Sequence, residues 1–420
     1  MAPKTGAKVV RRRADGSSKT NKTANPVAPR NFEFCGIKEK CQSCQFVNDP
    51  YTKNLNEKFY KGVELLKEEE LLSSAKVVGV TSSPKQLAYR THAKLAVRAD
   101  STSESGLAIG LYQPGTHTAV DLSYCPIHTR AIGKLIRSLH KRIPEVGLTP
   151  YNEQTGEGTL RYITLRNAHL TDELMLTFVV TKDAKEELKR LTKILRLDEH
   201  ILTSVHMNIN ESTGNAIYGE QTVRLAGTDK LRESICGLKF EVSPTAFFQV
   251  NPWQATNLYR RVEQIAGYTE NAVAWDLYCG SGPISMLLAS SGYNVVGIEE
   301  NPFAVEDGKV NVRRNGLENK VSFVTGRVED KQLDIPEWSK SPSLIVCNPS
   351  RRGIAEQTRD HLKSVLAQDK PIFVYVSCEL ETMARDIKDL IKSGHKLRQV
   401  EAFDMFAQTD KLEWIAVLTK

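Results

Sequence analysis

Cys378 stands at the end of an apolar run, Ile372-Phe373-Val374-Tyr375-Val376-Ser377, and just before Leu380, Met383, Ala384, Ile387, Leu390 and Ile391. The run predicts a buried strand, and the i, i+3, i+4, i+7 spacing after it predicts a helix with one buried face. A thiol between the carboxyl end of a strand and a helix N-terminus can be held as thiolate by the positive end of the helix dipole. Taken alone, a free cysteine is more often a small buried apolar side chain than a nucleophile. Its neighbours in the sequence decide between the two.

A second pattern precedes it. Val273-Ala274-Trp275-Asp276-Leu277 runs into Tyr278-Cys279-Gly280-Ser281-Gly282-Pro283 and then a helical stretch from Ile284 to Ala289. Gly280 and Gly282 allow a tight turn and a close approach of backbone to a ligand. About twenty residues on, the strand Asn294-Val295-Val296-Gly297-Ile298 ends in Glu299 and Glu300, where an acid can accept hydrogen bonds from both hydroxyls of a ribose. The third glycine of a dinucleotide fingerprint is missing, so a nucleoside without a pyrophosphate fits better. S-adenosylmethionine is such a ligand.

The elements that would carry these groups alternate. Val321 to Thr325 and Ser343 to Cys347 are further strands, the latter ending in Asn348-Pro349-Ser350-Arg351-Arg352-Gly353, and Pro371 to Cys378 is the next. Lys396 to Phe406 and Glu413 to Leu418 are too close together for a crossover helix and predict an antiparallel hairpin. A parallel α/β sheet with an antiparallel strand at its end is the Rossmann-like architecture of class I methyltransferases.

The amino-terminal half carries four further thiols. Cys35, Cys41 and Cys44 form C-x5-C-x2-C, and Cys125 lies far downstream. Three clustered thiols and a distant fourth fit iron–sulfur ligation. Zinc and unrelated core cysteines stay open on spacing alone, although a zinc site usually brings a second close pair. Disulfides are disfavoured, since no secretory signal peptide reads from the chain and its size needs no staples.

Several motifs in order now resemble one family, the bacterial RNA uracil-C5 methyltransferases that include the RlmC, RlmD and TrmA enzymes. They are C-x5-C-x2-C, Phe247-Phe248-Gln249-Val250-Asn251, Asp276-Leu277-Tyr278-Cys279-Gly280, Asn348-Pro349-Ser350-Arg351-Arg352-Gly353, Ser377-Cys378 and Leu412-Glu413. The resemblance runs from about Cys35 to the C-terminus. Asn348, the Arg351-Arg352-Gly353 run and Phe403-Asp404-Met405-Phe406 are most similar to the RlmC type, which methylates a uridine of large-subunit (23S) ribosomal RNA. The extra RNA-binding barrel of the RlmD type has no counterpart before the cysteines.

The resemblance implies a 4Fe-4S cluster on Cys35, Cys41, Cys44 and Cys125. It implies a cofactor site with Gln249, Tyr278, Gly280, Glu299 and Asn348, and it marks Arg90, Lys94 and Arg351 as RNA contacts. It also implies covalent catalysis. C5 of uracil is a poor nucleophile, and a thiolate of Cys378 adding to C6 turns the ring into an enolate whose C5 can attack a methyl sulfonium. Glu413 stands at the position of the base that then removes the C5 proton, a role that burial favours by raising its pKa. Two departures stand out: Ser350 replaces the second proline of a Pro-Pro-Arg run, and Gln408 and Lys411 replace histidines common before the base. A uracil methyltransferase acting on tRNA would share every catalytic residue. A non-catalytic iron–sulfur RNA-binding protein would not need Cys378 and Glu413 together.

Composition locates the charge. The chain has 57 basic and 50 acidic residues, a formal net charge of +7. Residues 1–31 hold eight basic residues and Asp15 alone among acids, which leaves 49 of each sign in the rest. The tail lacks hydrophobic periodicity and is expected to be disordered. It could follow RNA phosphates, be an inert solvated extension, or be an organellar presequence. The rest divides into a cysteine loop and helix over 32–74 (the helix from Asn54 to Leu72), an α+β RNA-binding domain over 75–240, and the catalytic domain over 241–420. In the middle part, alternation predicts Lys85, Arg90, Lys94 and Arg98 on one strand face. Leu160 to Arg166 and Met175 to Thr181 predict a hairpin, and Ala131 to Lys141 and Ala184 to Leu195 predict helices. No apolar run reaches membrane-spanning length. Free thiols without an export signal predict a reducing cytoplasm, and a monomer is expected.

Overall fold

Strands Val273–Leu277, Leu344–Cys347 and Ile372–Ser377 are apolar along nearly their whole length, the pattern of parallel strands covered on both faces. They form the centre of an eight-stranded sheet in a computed structural model that describes residues 35–214, 216–330 and 335–420. The order across it is Lys76–Thr81, Lys396–Phe403, Glu413–Thr419, Ile372–Ser377, Leu344–Cys347, Val273–Leu277, Asn294–Glu299 and Val321–Thr325. Glu413–Thr419 runs against both its neighbours, as the short connection from Phe403 demands, and the other pairs are parallel.

Alternate side chains feed two cores. Trp275, Leu277, Val296, Ile298, Ile345 and Tyr375 pack under helices Tyr51–Glu68, Glu356–Asp369 and Leu380–Leu390. Ala274, Val295, Val346 and Val374 pack under helices Pro252–Ala266 and Pro283–Ser290. The chain leaves Val273–Leu277 toward one side of the sheet and later returns to its other side as Leu344–Cys347. That reversal opens a crevice at the strand ends, where ligands of such sheets bind.

A second sheet of seven strands carries the middle of the chain, in the order Ala119–Asp121, Leu107–Tyr112, His92–Ala99, Leu160–Asn167, Leu174–Val180, Leu202–Ile209 and Gln221–Gly227. Its fifth and sixth strands are parallel and joined by helix Lys185–Asp198; with helix Arg130–Arg142 this covers one face.

Some boundaries fall elsewhere than the sequence suggests. Lys76–Thr81, inside the 75–240 segment, pairs with Lys396–Phe403 in the catalytic sheet. The hairpin of Leu231–Ile235 and Leu238–Val242 gives Ile235, Phe240 and Val242 to the catalytic core. The long helix spans Tyr51–Glu68 rather than Asn54 to Leu72. Residues 1–31, expected as a disordered basic tail, lie outside the described residues, as do 32–34. No helix among the described residues is long and apolar enough to cross a membrane.

Candidate active site and cysteine cluster

Strand register brings the two chemically capable groups together. Ser377 pairs with Trp414 in an antiparallel ladder, so one step further sets Cys378 opposite Glu413. The helix after Cys378 buries Leu380, Met383, Ala384, Ile387 and Leu390, the stripe its spacing predicts. Ser377 Oγ accepts from the Glu379 N–H at 3.1 Å and donates to the Glu379 carbonyl at 3.0 Å, fixing the turn that presents the thiol.

The electrostatics differ from the sequence expectation. A helix N-terminus alone would lower the thiol pKa, yet burial and then the neighbouring Glu413 carboxylate push Cys378 above its ordinary value. The Arg351 guanidinium, close enough to hydrogen-bond the sulfur, opposes them. Glu413 is 5% exposed, and burial pushes its carboxyl up to about 8. A half-buried thiol, a buried carboxyl and one guanidinium thus share a site, an arrangement able to add a thiolate to an electrophile and take a proton beside it.

Arg351 is delivered by the loop after Leu344–Cys347. Asn348 N–H donates to the Leu277 carbonyl at 3.2 Å, holding the loop at the crevice. Gly353 has φ +74°, and a Cβ there would meet Asp386 Oδ2 at 2.5 Å. Asp386 is buried and accepts from Ile354 N–H and Tyr375 Oη, each at 2.7 Å. It therefore anchors the loop that carries Arg351. Nothing in the sequence marked Asp386 except an acid on the buried side of a helix.

The glycine turn forms the other half of the crevice. Gly280 has φ +56° with open space where a Cβ would point, and its N–H donates to Glu299 Oε2 at 3.0 Å. Glu299 Oε1 accepts from Asn301 N–H at 2.9 Å, so the carboxylate is fixed at the strand end. Asp276 is fully buried, and burial raises its carboxyl to about 7; Ser285 Oγ donates to Oδ2 at 2.6 Å while Oδ1 has no partner. An orphaned buried oxygen beside an open glycine turn suits a ligand that brings a donor. Tyr278, at φ +60°, turns the chain out of the strand, and its half-buried ring packs against the core under helix Glu356–Asp369. Its ring is engaged there, so the peptide is what the turn offers. Tyr259 is buried, and Gln249, Glu413 and Asp276 lie close enough to act on its hydroxyl.

Residues 404–412, leading into Glu413, are strapped from the amino-terminal segment. Lys58 Nζ meets Asp404 Oδ1 at 2.6 Å and donates to the Thr409 and Lys411 carbonyls at 3.1 and 3.2 Å. Tyr51 Oη donates to Asp404 Oδ2 at 2.8 Å, Phe46 N–H to the Gln408 carbonyl at 2.9 Å and Tyr89 Oη to the Ala407 carbonyl at 2.9 Å. At the histidine-replacing positions, Gln408 is buried and Lys411 pairs with Glu379 at 3.2 Å. Lys58→Met would leave Asp404 in the interior without its cation, held by Tyr51 Oη alone. The expected loss is about 3–5 kcal/mol of stability, read as a lower urea midpoint.

Cys35, Cys41, Cys44 and Cys125 line one small cavity. Burial first, then the negative charge the other three thiols would carry, push Cys44 up to about 12; Arg90 opposes this. Burial pushes Cys125 up, opposed by the nearby Ile127 and His128 backbone N–H groups. Among the described residues no group of three or more His, Cys, Asp or Glu is spaced for a single metal ion. Tetrahedral zinc would need sulfurs about 3.8 Å apart, from a Zn–S bond of about 2.3 Å.

The predicted row of cations is broken up. The strand begins at His92, so Lys85 and Arg90 precede it. Lys85 sits over Trp253 at 3.6 Å, Arg90 lies beside Cys44, and Lys94 is exposed over Tyr218 at 5.0 Å. Arg98 is buried, paired with Glu153 and bonded to the Arg161 carbonyl.

A sequence model of the family described as tRNA (uracil-5-)-methyltransferase matches residues 50–420. An uncharacterised RNA methyltransferase of Clostridium acetobutylicum is 31% identical over 393 residues, covering 93% of this chain and 84% of the relative. One from Geobacter sulfurreducens is 33% identical over 386 residues, covering 92% and 77%. Among solved structures, the Pyrococcus abyssi tRNA (uracil-54, C5)-methyltransferase in complex with S-adenosyl-L-homocysteine is similar, at 27% identity and TM-score 0.71, over 88% of this chain and 84% of that one.

Proposed function

The chain belongs to the tRNA (uracil-5-)-methyltransferase family, a family of S-adenosylmethionine-dependent RNA uracil-C5 methyltransferases, and from that premise we propose that it methylates C5 of one uridine in large-subunit (23S) ribosomal RNA through a Cys378 adduct. The observation that carries the reading is the register that sets Cys378 opposite Glu413, with Arg351 at the thiol. Cys378 enters as the thiolate, favoured by Arg351, and its sulfur bonds to C6. The C5–C6 electron pair moves onto the C4 carbonyl oxygen. S-adenosylmethionine, once bound, would supply the methyl group: the enolate pair returns from the C4 oxygen and C5 bonds the methyl carbon, while the sulfonium sulfur keeps the electrons of the broken S–C bond. The Glu413 carboxylate then takes the C5 proton, the double bond re-forms, and Cys378 leaves as thiolate. Asp276 Oδ1 and the Glu299 carboxylate would receive the amino and ribose hydroxyl groups of the cofactor, with Gly280 leaving room. Gln249, Tyr278 and Asn348 complete its walls. Access requires the uridine to be flipped from the folded RNA.

The RNA class rests on Asn348, the Arg351-Arg352-Gly353 run and the Phe403–Phe406 segment. The Pyrococcus abyssi enzyme favours a second reading, tRNA. Labelled methyl transfer from S-adenosylmethionine to undermethylated ribosomal RNA and tRNA, mapped to the nucleotide, separates them. Label at one uridine of large-subunit RNA is the expected result; label in tRNA alone would keep the chemistry and replace the substrate. No transfer to either would leave the binding-protein reading.

We also propose that Cys35, Cys41, Cys44 and Cys125 hold a 4Fe-4S cluster. Four converging thiols that repel one another as thiolates, with two N–H groups near Cys125, suit an iron cluster, whose ligands stand further apart than those of one ion. Anaerobically purified protein is expected to contain about four irons and four sulfides per chain, and Cys125→Ser to lose them. None of the eight cysteines is joined in a disulfide, and we place the protein in a reducing cytoplasm, where unpaired thiols and cluster ligands persist.

A further inference from the structure

Helix Arg130–Arg142 has six basic or histidine side chains and no acid, although residues 32–420 as a whole hold 49 Lys or Arg and 49 Asp or Glu. Arg130, Lys134, Arg137 and Lys141 follow at steps of four, three and four, which confines them to about 60° of arc along about 16 Å of helix. All four are exposed, while Ile132, Leu135, Ile136 and Leu139 on the far side are fully buried. Lys134 meets Glu199 at 2.8 Å, and Arg142, off the stripe, is taken by Asp198 and Glu145. Among the described residues no carboxylate pairs with Arg130, Arg137 or Lys141. A solvated helix face could look like this, except for what lies beside it.

Tyr124 is 83% exposed, an unusual state for a large aromatic ring, and the Arg137 guanidinium lies 5.1 Å from its centroid. Arg137 Nη1 donates to the Ser123 carbonyl at 2.8 Å, so the guanidinium is held in place. Tyr124, Arg137, His140 and Lys141 border an open cleft of about 730 Å³. Its Asp121 carboxylate is occupied by His140 and by the Ile109 and Ser123 N–H groups, leaving exposed Glu104 as the acid on the rim.

We propose that this stripe and Tyr124 form a second RNA-docking surface, which grips substrate RNA away from the target uridine. Spaced cations follow several phosphates, and an exposed ring backed by a guanidinium stacks an unpaired base. The surface shares no residue with the Cys378–Glu413 site. The proposal rests on the methyltransferase reading above and deepens it.

The test uses Arg130→Glu/Lys141→Glu and Tyr124→Ala in the full chain. Both are assayed on the whole undermethylated RNA that wild type methylates and on a short hairpin carrying only its target uridine. On the whole RNA, KM is expected to rise about tenfold for Tyr124→Ala, with kcat and thermal midpoint unchanged. For the double variant, the slope of log binding constant against log salt is expected to flatten by about 2. Neither variant should differ from wild type on the hairpin. Unchanged KM and salt slope on the whole RNA overturn the proposal and leave the stripe to an acidic protein partner or to solvent. Equal losses on both RNAs overturn it too, since the effect is then not remote. Wild type inactive on every RNA marks failure of the methyltransferase reading itself, and the proposal falls with it.

Discussion

Cys378→Ala is expected to abolish methyl transfer, with a loss on the order of 10⁴-fold or more, the scale of removing a nucleophile. Cofactor binding should persist, because Asp276, Gly280 and Glu299 belong to other strand ends. The substitution deletes only a half-buried sulfur, and the helix behind it keeps its six buried side chains, so folding is not at stake. Two measurements check it: equilibrium binding of S-adenosylmethionine, expected unchanged, and single-turnover methylation, expected absent. A variant that methylates at the wild-type rate would sink the covalent route.

Glu413→Gln is expected to stop the reaction later. Addition to C6 and methylation can proceed, but the C5 proton has no acceptor, so turnover should fall by about 10²–10⁴-fold. A protein–RNA adduct that survives denaturation should accumulate to about one per enzyme. The amide also removes the carboxylate that raises the Cys378 pKa, so adduct formation should extend to lower pH than in wild type. In wild type, kcat/KM is expected to climb as pH rises toward about 8, where Glu413 gains its charge. That limb belongs to the Cys378–Glu413 pair rather than to either residue. A normal rate with nothing trapped would remove Glu413 from the base role.

The same shift predicts a stability effect of definite sign. With the Glu413 pKa raised to about 8 in the fold and near 4.3 unfolded, the native state binds more protons between those values. Stability therefore falls as pH rises through that window. Glu413→Gln, which cannot ionise, should melt higher than wild type at pH 8, with the advantage vanishing near pH 4. Ligand-free thermal melts at both pH values check this.

Local pattern sufficed wherever a residue's role follows from its place along one element. The apolar runs, the stripe from Leu380 to Leu390 and the short span from Phe403 to Glu413 dictate a parallel sheet with one reversed strand. The same pattern puts Cys378, Gly280 and Glu299 at strand ends. Opposing strand ends meet only through register, so the pairing of Ser377 with Trp414, and hence of Cys378 with Glu413, needed the assembled sheet. Burial is likewise a property of the whole fold. It set the sign of the Cys378 shift against the helix dipole, drew Arg98 inward and turned Arg90 toward Cys44. Lys58 and Asp404 are 346 residues apart, and Asp386 reads as one more helix acid. Their work of fixing the loops behind Glu413 and Arg351 arises because a buried charge must find a partner, and that partner is fixed by tertiary contact rather than by spacing along the chain.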